Sequence, residues 1–281
     1  MPGTPDTFRI EEVDAAIAAT QFAGQVHYFP STSSTSDLAL HAALAGERHG
    51  VWFADQQTAG RGRGGNTWHS PAGSGLYMTA LAAPDVPLQS ALSLSFRVAV
   101  AVQAAIAGIT GFARPAEIDI RWPNDLILHG KKVGGILIDT ASNPTAPPAP
   151  ATLRYALLGI GINVNHTSFP PELDAIATSL RRELPDPSQP IRREPLATAI
   201  LLALDAELRA LATDNRTLAP DNFSTYSTWL TGKRVRVEAR DGRPSYTGTT
   251  AGLDAHGFLL VQGDSGQLHT VLSGGLREPE P

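Results

Sequence analysis

The spacing of apolar residues alternates between helical and extended periods along most of the chain. Ile10, Val13 and Ile17 share one face of a helix predicted over residues 10–20. Residues 26–29 read as a strand, followed by a Ser/Thr run at 31–36. Asp37 then opens a helical pattern through Leu38, Leu40 and Leu44, which Gly46 ends. Strands are predicted at 51–54 and 76–82, and a long apolar helix at 88–109. Four further strands follow at 118–122, 126–128, 133–139 and 155–164, then a helix at 195–212 with Leu196, Ile200, Leu201, Leu204 and Leu208 on its apolar side. The link His129–Lys131 is too short for a parallel crossover. The pattern therefore predicts an α/β (α+β) fold with a mixed, mainly antiparallel sheet flanked by helices.

Two loops interrupt it: a glycine-rich stretch at 59–75, and a proline-rich stretch at 141–151 that is expected to be exposed. From Lys233 onward the periods shorten. Val235 and Val237, Tyr246, residues 258–261, and Leu268 with Val271 mark short strands. The turn signals Asp241-Gly242, His256-Gly257 and Gly263-Asp264 separate them. This predicts a small β-barrel-like unit and divides the chain into residues 1–230 and 231–281.

Composition narrows the function classes. A chain of 281 residues, 42% of them hydrophobic, supports a large core. A net charge of −5 argues against nucleic acid as the main partner, because phosphate binding shows as a basic excess. Cysteine is absent, which excludes disulfides, a thiol nucleophile and thiolate metal sites. No apolar stretch reaches bilayer length and the start lacks signal-peptide character, so a soluble, cytoplasmic protein without membrane partners is expected. Of the 22 basic residues, only Lys131, Lys132 and Lys233 are lysines. The adjacent pair calls for a task that suits a compact ammonium better than a planar guanidinium.

Five segments carry candidate chemistry. Gly60-Arg61-Gly62-Arg63-Gly64-Gly65, with Trp68 after it, combines close backbone approach with two forked cations suited to phosphate or carboxylate, although a solvated surface loop has the same composition. It lacks the lysine-plus-hydroxyl ending of a P-loop. Arg121-Trp122-Pro123-Asn124-Asp125 places two polar side chains on a proline-set turn, functional or ordinary. Lys131-Lys132-Val133-Gly134-Gly135 puts lysines at the mouth of a strand weakened by glycine, where a ligand often approaches; Lys132 is the one expected to reach it. Gly159-Ile160-Gly161-Ile162-Asn163 alternates glycine with isoleucine, leaving one face open to something flat or to a packed helix. Ser34, Thr35 and Ser36 precede a helix; Ser36 is read as its cap, with the other hydroxyls available to a polar ligand.

In this order and spacing the five segments, joined by Gln57, resemble the biotin–protein ligase family, from about residue 26 to 280. The resemblance implies a class II synthetase-like catalytic block followed by an SH3-like β-barrel. It implies a two-step reaction with ATP and magnesium: biotin's carboxylate attacks the α-phosphorus to give biotinyl-5′-AMP, and a lysine of a biotin carboxyl carrier protein then takes the biotinyl group. By position, Ser34, Thr35, Ser36, Gln57, Gly60, Gly134 and Gly135 fall to biotin. Arg61, Arg63, Trp68, Asn124, Lys132 and Asn163 fall to ATP or the adenylate. Lys132, Arg61, Arg63 and Asp125 are the implied catalytic set, Asp125 orienting the incoming lysine, and Gly159 and Gly161 leave room for ligand. Metal ligands are unassigned. The chain departs from the family at Asn66, where arginine is frequent, at Ser36, where asparagine is usual, and at Arg121, which replaces a frequent lysine.

Some relatives carry an N-terminal winged helix-turn-helix, for which the residues ahead of position 26 are too few. A monofunctional ligase without DNA binding, monomeric or homodimeric, is the resulting expectation. A lipoate or octanoate ligase-like enzyme of the same fold and a non-catalytic biotin-sensing regulator are the alternatives. The Gly-Arg-Gly-Arg loop and the Ser-Thr-Ser run favour biotin.

Overall fold

The computed structural model describes residues 8–88, 91–143, 151–214, 225–238, 244–254, 257–271 and 275–279. Seven strands, β1 (Val26–Phe29), β2 (Gly50–Ala54), β3 (Gly75–Ala82), β4 (Ile118–Arg121), β5 (Asp125–Leu128), β6 (Lys131–Ser142) and β7 (Leu153–Asn163), form one sheet. Their order is β1-β2-β3-β7-β6-β5-β4. β1 and β2 run parallel and the other neighbours antiparallel, the β5–β6 pair as its short link required. Among the described residues six α-helices accompany them: α1 (Ile10–Ala16), α2 (Thr35–Ala45), α3 (Ala91–Thr110), α4 (Pro171–Asp174), α5 (Leu180–Glu183) and α6 (Arg193–Asp214). Helices α1, α3 and α6 build the larger core against one sheet face, where Val51, Phe53 and Met78 point. Helix α2 lies on the opposite face, with Ala39, Ala42 and Ala43 against Trp52, Leu81 and Leu157. Covered on both faces, β3 is buried at every position, so its apolar run is continuous.

Several boundaries differ from the sequence reading. Helix α1 stops at Ala16, and the Thr20 hydroxyl donates to the Ile17 carbonyl at 2.8 Å, a local bond that competes with further helix. Helix α2 starts at Thr35, and its cap is Ser34, whose hydroxyl accepts from the Ser36 amide. Ser36 cannot cap because it sits inside the first turn, with its hydroxyl 3.2 Å from that of Thr79. The cap contributes about 1 kcal/mol.

The β5–β6 hairpin closes on two residues, His129 at φ 47° and Gly130 at φ 80°. That is the left-handed pair a tight, twist-matched hairpin requires. Beyond the turn, Leu128 pairs with Lys131 and Ile127 with Lys132, but Leu126 pairs with Gly134. Val133 is therefore an extra residue, a β-bulge.

A second sheet follows, with β8 (Thr231–Glu238), β9 (Tyr246–Leu253), β10 (Leu259–Gly263), β11 (Leu268–Val271) and β12 (Gly275–Arg277). It is antiparallel, in the order β11-β10-β9-β8-β12. The linker into it is clamped to β4: Asp119 accepts from the Thr228 amide at 3.0 Å, and Ser227 donates to the Ile120 carbonyl at 2.6 Å. The turn signal at Asp241-Gly242, residue His256 and most of the proline-rich stretch lie outside the described residues. Among the described residues no helix is long and apolar enough to cross a membrane.

Candidate active site

A cleft of about 420 Å³ opens on the α2 face of the large sheet, a volume suited to a small-molecule ligand. Its floor is made by glycines. Gly135 pairs with Gly161, and Leu137 with Gly159, so these positions share one face. A Cβ on Gly161 would stand 2.6 Å from Trp68 Nε1, and one on Gly135 3.2 Å from the same ring. Trp68 thus lies directly on the glycine floor. Its indole N–H is buried without a hydrogen-bond partner, a donor left for whatever fills the cleft. Gly134 departs from its expected place. Its Cβ would meet Leu126 Cδ1 at 3.0 Å on the core side, because successive strand residues face opposite ways. Gly60 lies behind the wall, where a Cβ would stand 2.8 Å from both the Ser70 hydroxyl and the Trp68 carbonyl.

One end of the cleft is neutral and polar. The Thr35 and Ser36 hydroxyls meet Thr79 Oγ1 at 2.9 and 3.2 Å. Gln57 Oε1 accepts from the Thr35 amide at 2.9 Å and its hydroxyl at 3.2 Å, and Gln57 Nε2 donates to Ser70. Gln57 thereby positions Thr35. Ser34, Thr35 and Ser36 are buried yet line the cleft.

Across the glycine floor from these hydroxyls the lining is charged. Asp125 lies opposite Gly135 on the cleft face. Its two oxygens receive Arg121 at 2.7 Å and Lys132 at 2.5 Å. Burial alone would push the Asp125 carboxyl up, but Lys132 and Arg121 outweigh it and hold it below the usual range. Lys132 reaches this site because of the bulge: Val133 turns into the core, fully buried, so Lys132 and Gly135 share the cleft side. The ammonium also stands 5.3 Å from the Trp68 ring centre. Each Asp125 oxygen thus holds one of the two cations.

The glycine–arginine loop folds back on itself, with Gly62 N donating to Asn66 O at 2.7 Å and Asn66 Nδ2 to Arg63 O at 3.1 Å. Arg61 lies 3.2 Å from Asp37 and 3.7 Å from Asp139. These pairs are about half exposed, and pairs of that kind contribute at most about 1 kcal/mol. An anionic ligand can displace them. Arg63 packs over the Trp122 ring at 6.0 Å. Two asparagines act through the backbone. Asn124 Nδ2 donates to the Ile136 carbonyl, locking β5 to β6. Asn163 Nδ2 donates to the Thr178 carbonyl at 3.0 Å.

That last bond exposes a segment the sequence reading missed. Residues 176–178 take over the ladder beside Lys132, where β7 has ended: Lys132 N donates to Ile176 O at 2.8 Å and Thr178 N to Lys132 O at 3.0 Å. With Phe169, Leu173, Ile176 and Ala177 this segment walls the cleft near Trp68. An aromatic before Pro170-Pro171 was its sole sequence signal. The second sheet also reaches the rim through Glu238, Gly275, Leu276 and Arg277, a contribution that strand periodicity does not reveal. Beside the cleft, burial and then His69 press the His166 imidazole down to about 4, so it stays neutral.

A model of the biotin/lipoate A/B protein ligase family matches residues 28–162, and one of the biotin protein ligase C-terminal domain matches residues 231–274. The chain is 32% identical over 268 residues to the biotin–[acetyl-CoA-carboxylase] ligase of Mycobacterium tuberculosis, covering 93% of this chain and 91% of that one. It belongs to the biotin protein ligase family. It is also 35% identical over 215 residues to the bifunctional ligase/repressor BirA of Bacillus spizizenii. That match covers 76% of this chain and 61% of the relative's length. Among solved structures, the biotin protein ligase from Aquifex aeolicus in complex with biotin and ATP has the same fold, with a TM-score of 0.69 and 24% identity over 90% of this chain and 98% of that one. In this family member the seven-stranded sheet therefore carries the cleft, and the small antiparallel sheet completes its rim.

Proposed function

We propose that this chain is a cytoplasmic biotin–protein ligase that forms biotinyl-5′-AMP from biotin and ATP and passes the biotinyl group to a lysine of a biotin carboxyl carrier protein. The observation that carries the reading is the grouping of three kinds of surface in one cleft. The hydroxyls and amide suit a ureido ring, the cations suit a carboxylate meeting a phosphate, and an indole over a glycine floor suits a flat base. Nucleic acid has no part in it, in keeping with the net charge of −5.

In the first step a biotin carboxylate oxygen bonds to the α-phosphorus and the bond to the pyrophosphate oxygen breaks. Negative charge moves outward onto oxygen. Lys132, held by Asp125, supplies fixed positive charge where that charge grows, and Arg61 and Arg63 of the glycine–arginine loop add to it. In the second step the neutral acceptor amine bonds to the acyl carbon, the carbon–oxygen bond breaks, AMP leaves with the electron pair, and the amine proton passes to solvent. Among the described residues no group of three or more His, Asp or Glu side chains converges on a metal position. Magnesium, as the partner of the nucleotide substrate, would be bound through its phosphates, and protein ligands for it are unassigned.

The deciding experiment supplies purified protein with biotin, ATP, magnesium and a carrier domain. The expected result is pyrophosphate release and the mass of one biotinyl group on one carrier lysine. Labelling with lipoate instead, or tight biotin binding with no labelling, would reject the reading in favour of a lipoate ligase-like enzyme or a regulator. A finer check is Thr35→Val, which keeps the volume and deletes the hydroxyl. It should raise KM for biotin about tenfold, the loss of one or two buried hydrogen bonds, with KM for ATP little changed.

A further inference from the structure

We propose that His129 is a positioning residue for Lys132, tethering the β5–β6 hairpin to the segment that aligns the lysine's backbone. The proposal rests on the ligase reading and extends it to a residue outside the cleft.

Among the described residues His129 is the one non-glycine residue with a positive φ. Such a backbone costs an ordinary side chain about 1 kcal/mol, and glycine or asparagine would close the same hairpin at less cost. The imidazole is doubly engaged. Nδ1 lies 2.8 Å from Glu183 Oε2 and Nε2 3.4 Å from Glu117 Oε1. Each carboxylate uses its other oxygen to hold its own element: Glu183 Oε1 accepts from the Thr178 hydroxyl at 2.5 Å, and Glu117 Oε2 from the Ala113 amide at 2.7 Å. The ring edge also meets Phe112, at 5.7 Å between centroids. Three elements therefore converge on one side chain at the tip of a hairpin, where a turn alone needs none of them.

The connection to the lysine is short. Thr178, held by Glu183, donates its amide to the Lys132 carbonyl, and the Lys132 amide donates to Ile176. β7 supplies no partner there, since its pairing with β6 begins at Gly134. The backbone of Lys132 is thus aligned by the 176–178 segment, and that segment is tied to the hairpin tip through Glu183 and His129. Two further cations stand nearby: Arg182, which pairs with Asp174 at 2.8 Å and also helps hold the Glu183 carboxyl low, and Lys131, which donates to the Asp174 carbonyl at 3.1 Å.

The tether is sensitive to pH. The Glu183 hydrogen bond first, and then Glu117, raise the imidazole above its ordinary 6.5 against partial desolvation. A raised folded value means the double engagement is complete below the ordinary pKa and falls to a single contact as pH rises through the raised one, because a neutral imidazole donates to only one carboxylate.

The test is biotin-dependent ATP–pyrophosphate exchange as a function of pH for the wild type, His129→Asn, Glu183→Gln and the double variant. Asparagine tolerates the left-handed backbone. Glutamine can still accept from Thr178. The expected result is a fall in kcat of about tenfold in each single variant, the scale of a displaced catalytic group, with KM for biotin near the wild-type value. The alkaline step of the wild-type profile should vanish in both, and the double variant should be no slower than either single one. An active wild type with a His129→Asn rate within about twofold of it and the step retained, or losses that multiply in the double variant, would overturn the proposal alone. If His129→Asn melts below assay temperature, Glu183→Gln decides by the same criteria. A wild type without exchange would overturn the ligase reading and this proposal with it.

Discussion

Lys132→Ala is expected to lower biotin-dependent ATP–pyrophosphate exchange by at least about a thousandfold, the scale seen when a fixed transition-state charge is removed. The fold should survive. The side chain is one-third exposed, and Asp125 keeps Arg121 at 2.7 Å, so the carboxylate is not stranded without a cation. Lys132→Arg should restore little activity. A guanidinium must sit as a planar fork, whereas the native ammonium stands 2.5 Å from one Asp125 oxygen and close over Trp68. Exchange kinetics beside thermal melting check this. A variant that retains a tenth of the wild-type rate would remove Lys132 from the first step.

Gly161→Val should produce the second largest loss, in nucleotide use. Valine suits a strand, so folding is not the obstacle. Its Cβ would lie 2.6 Å from Trp68 Nε1 and 2.7 Å from Trp68 Cε2. The indole must leave the floor, and the surface for a flat base goes with it. KM for ATP is expected to rise about a hundredfold, equivalent to about 2.7 kcal/mol, while KM for biotin, read at the Thr35 end, changes little. Gly134→Ala serves as the control. Its Cβ meets Leu126 on the core side, so it should lower the melting temperature and leave both KM values alone. Equal effects of the two substitutions on KM for ATP would contradict the assignment of the floor.

Much of this architecture was legible in the residues because it rests on alternation. The mixed sheet follows from apolar periods and from links too short to cross over. The glycine face at 159 and 161, the arginine loop and the adjacent lysines all line or flank one cleft. What escaped detection depends on pairing rather than on composition. Gly134 and Gly135 look equivalent in sequence, and only register places one in the core and the other on the floor. Ser34 and Ser36 are alike as caps until Thr79 claims the Ser36 hydroxyl. The 176–178 segment is an ordinary loop by composition; its role comes from lying where β7 ends. Glu238 and Arg277 reach the rim from a sheet whose own pattern reports nothing about its neighbour.

The bulge at Val133 turns residue counting in the hairpin into a matter of parity. With Val133 outside the ladder, the cleft side reads Gly135 and then Lys132. If Val133 were drawn back into regular pairing, strict alternation would place positions 135 and 133 on that side. Val133 would take the place of Lys132 opposite Ile127, Lys132 would turn to the core side opposite Leu128, and Lys131 would fall in the turn. A one-residue slip would thus put an isopropyl group where the ammonium stands, so the extra residue is what keeps a cation in the cleft.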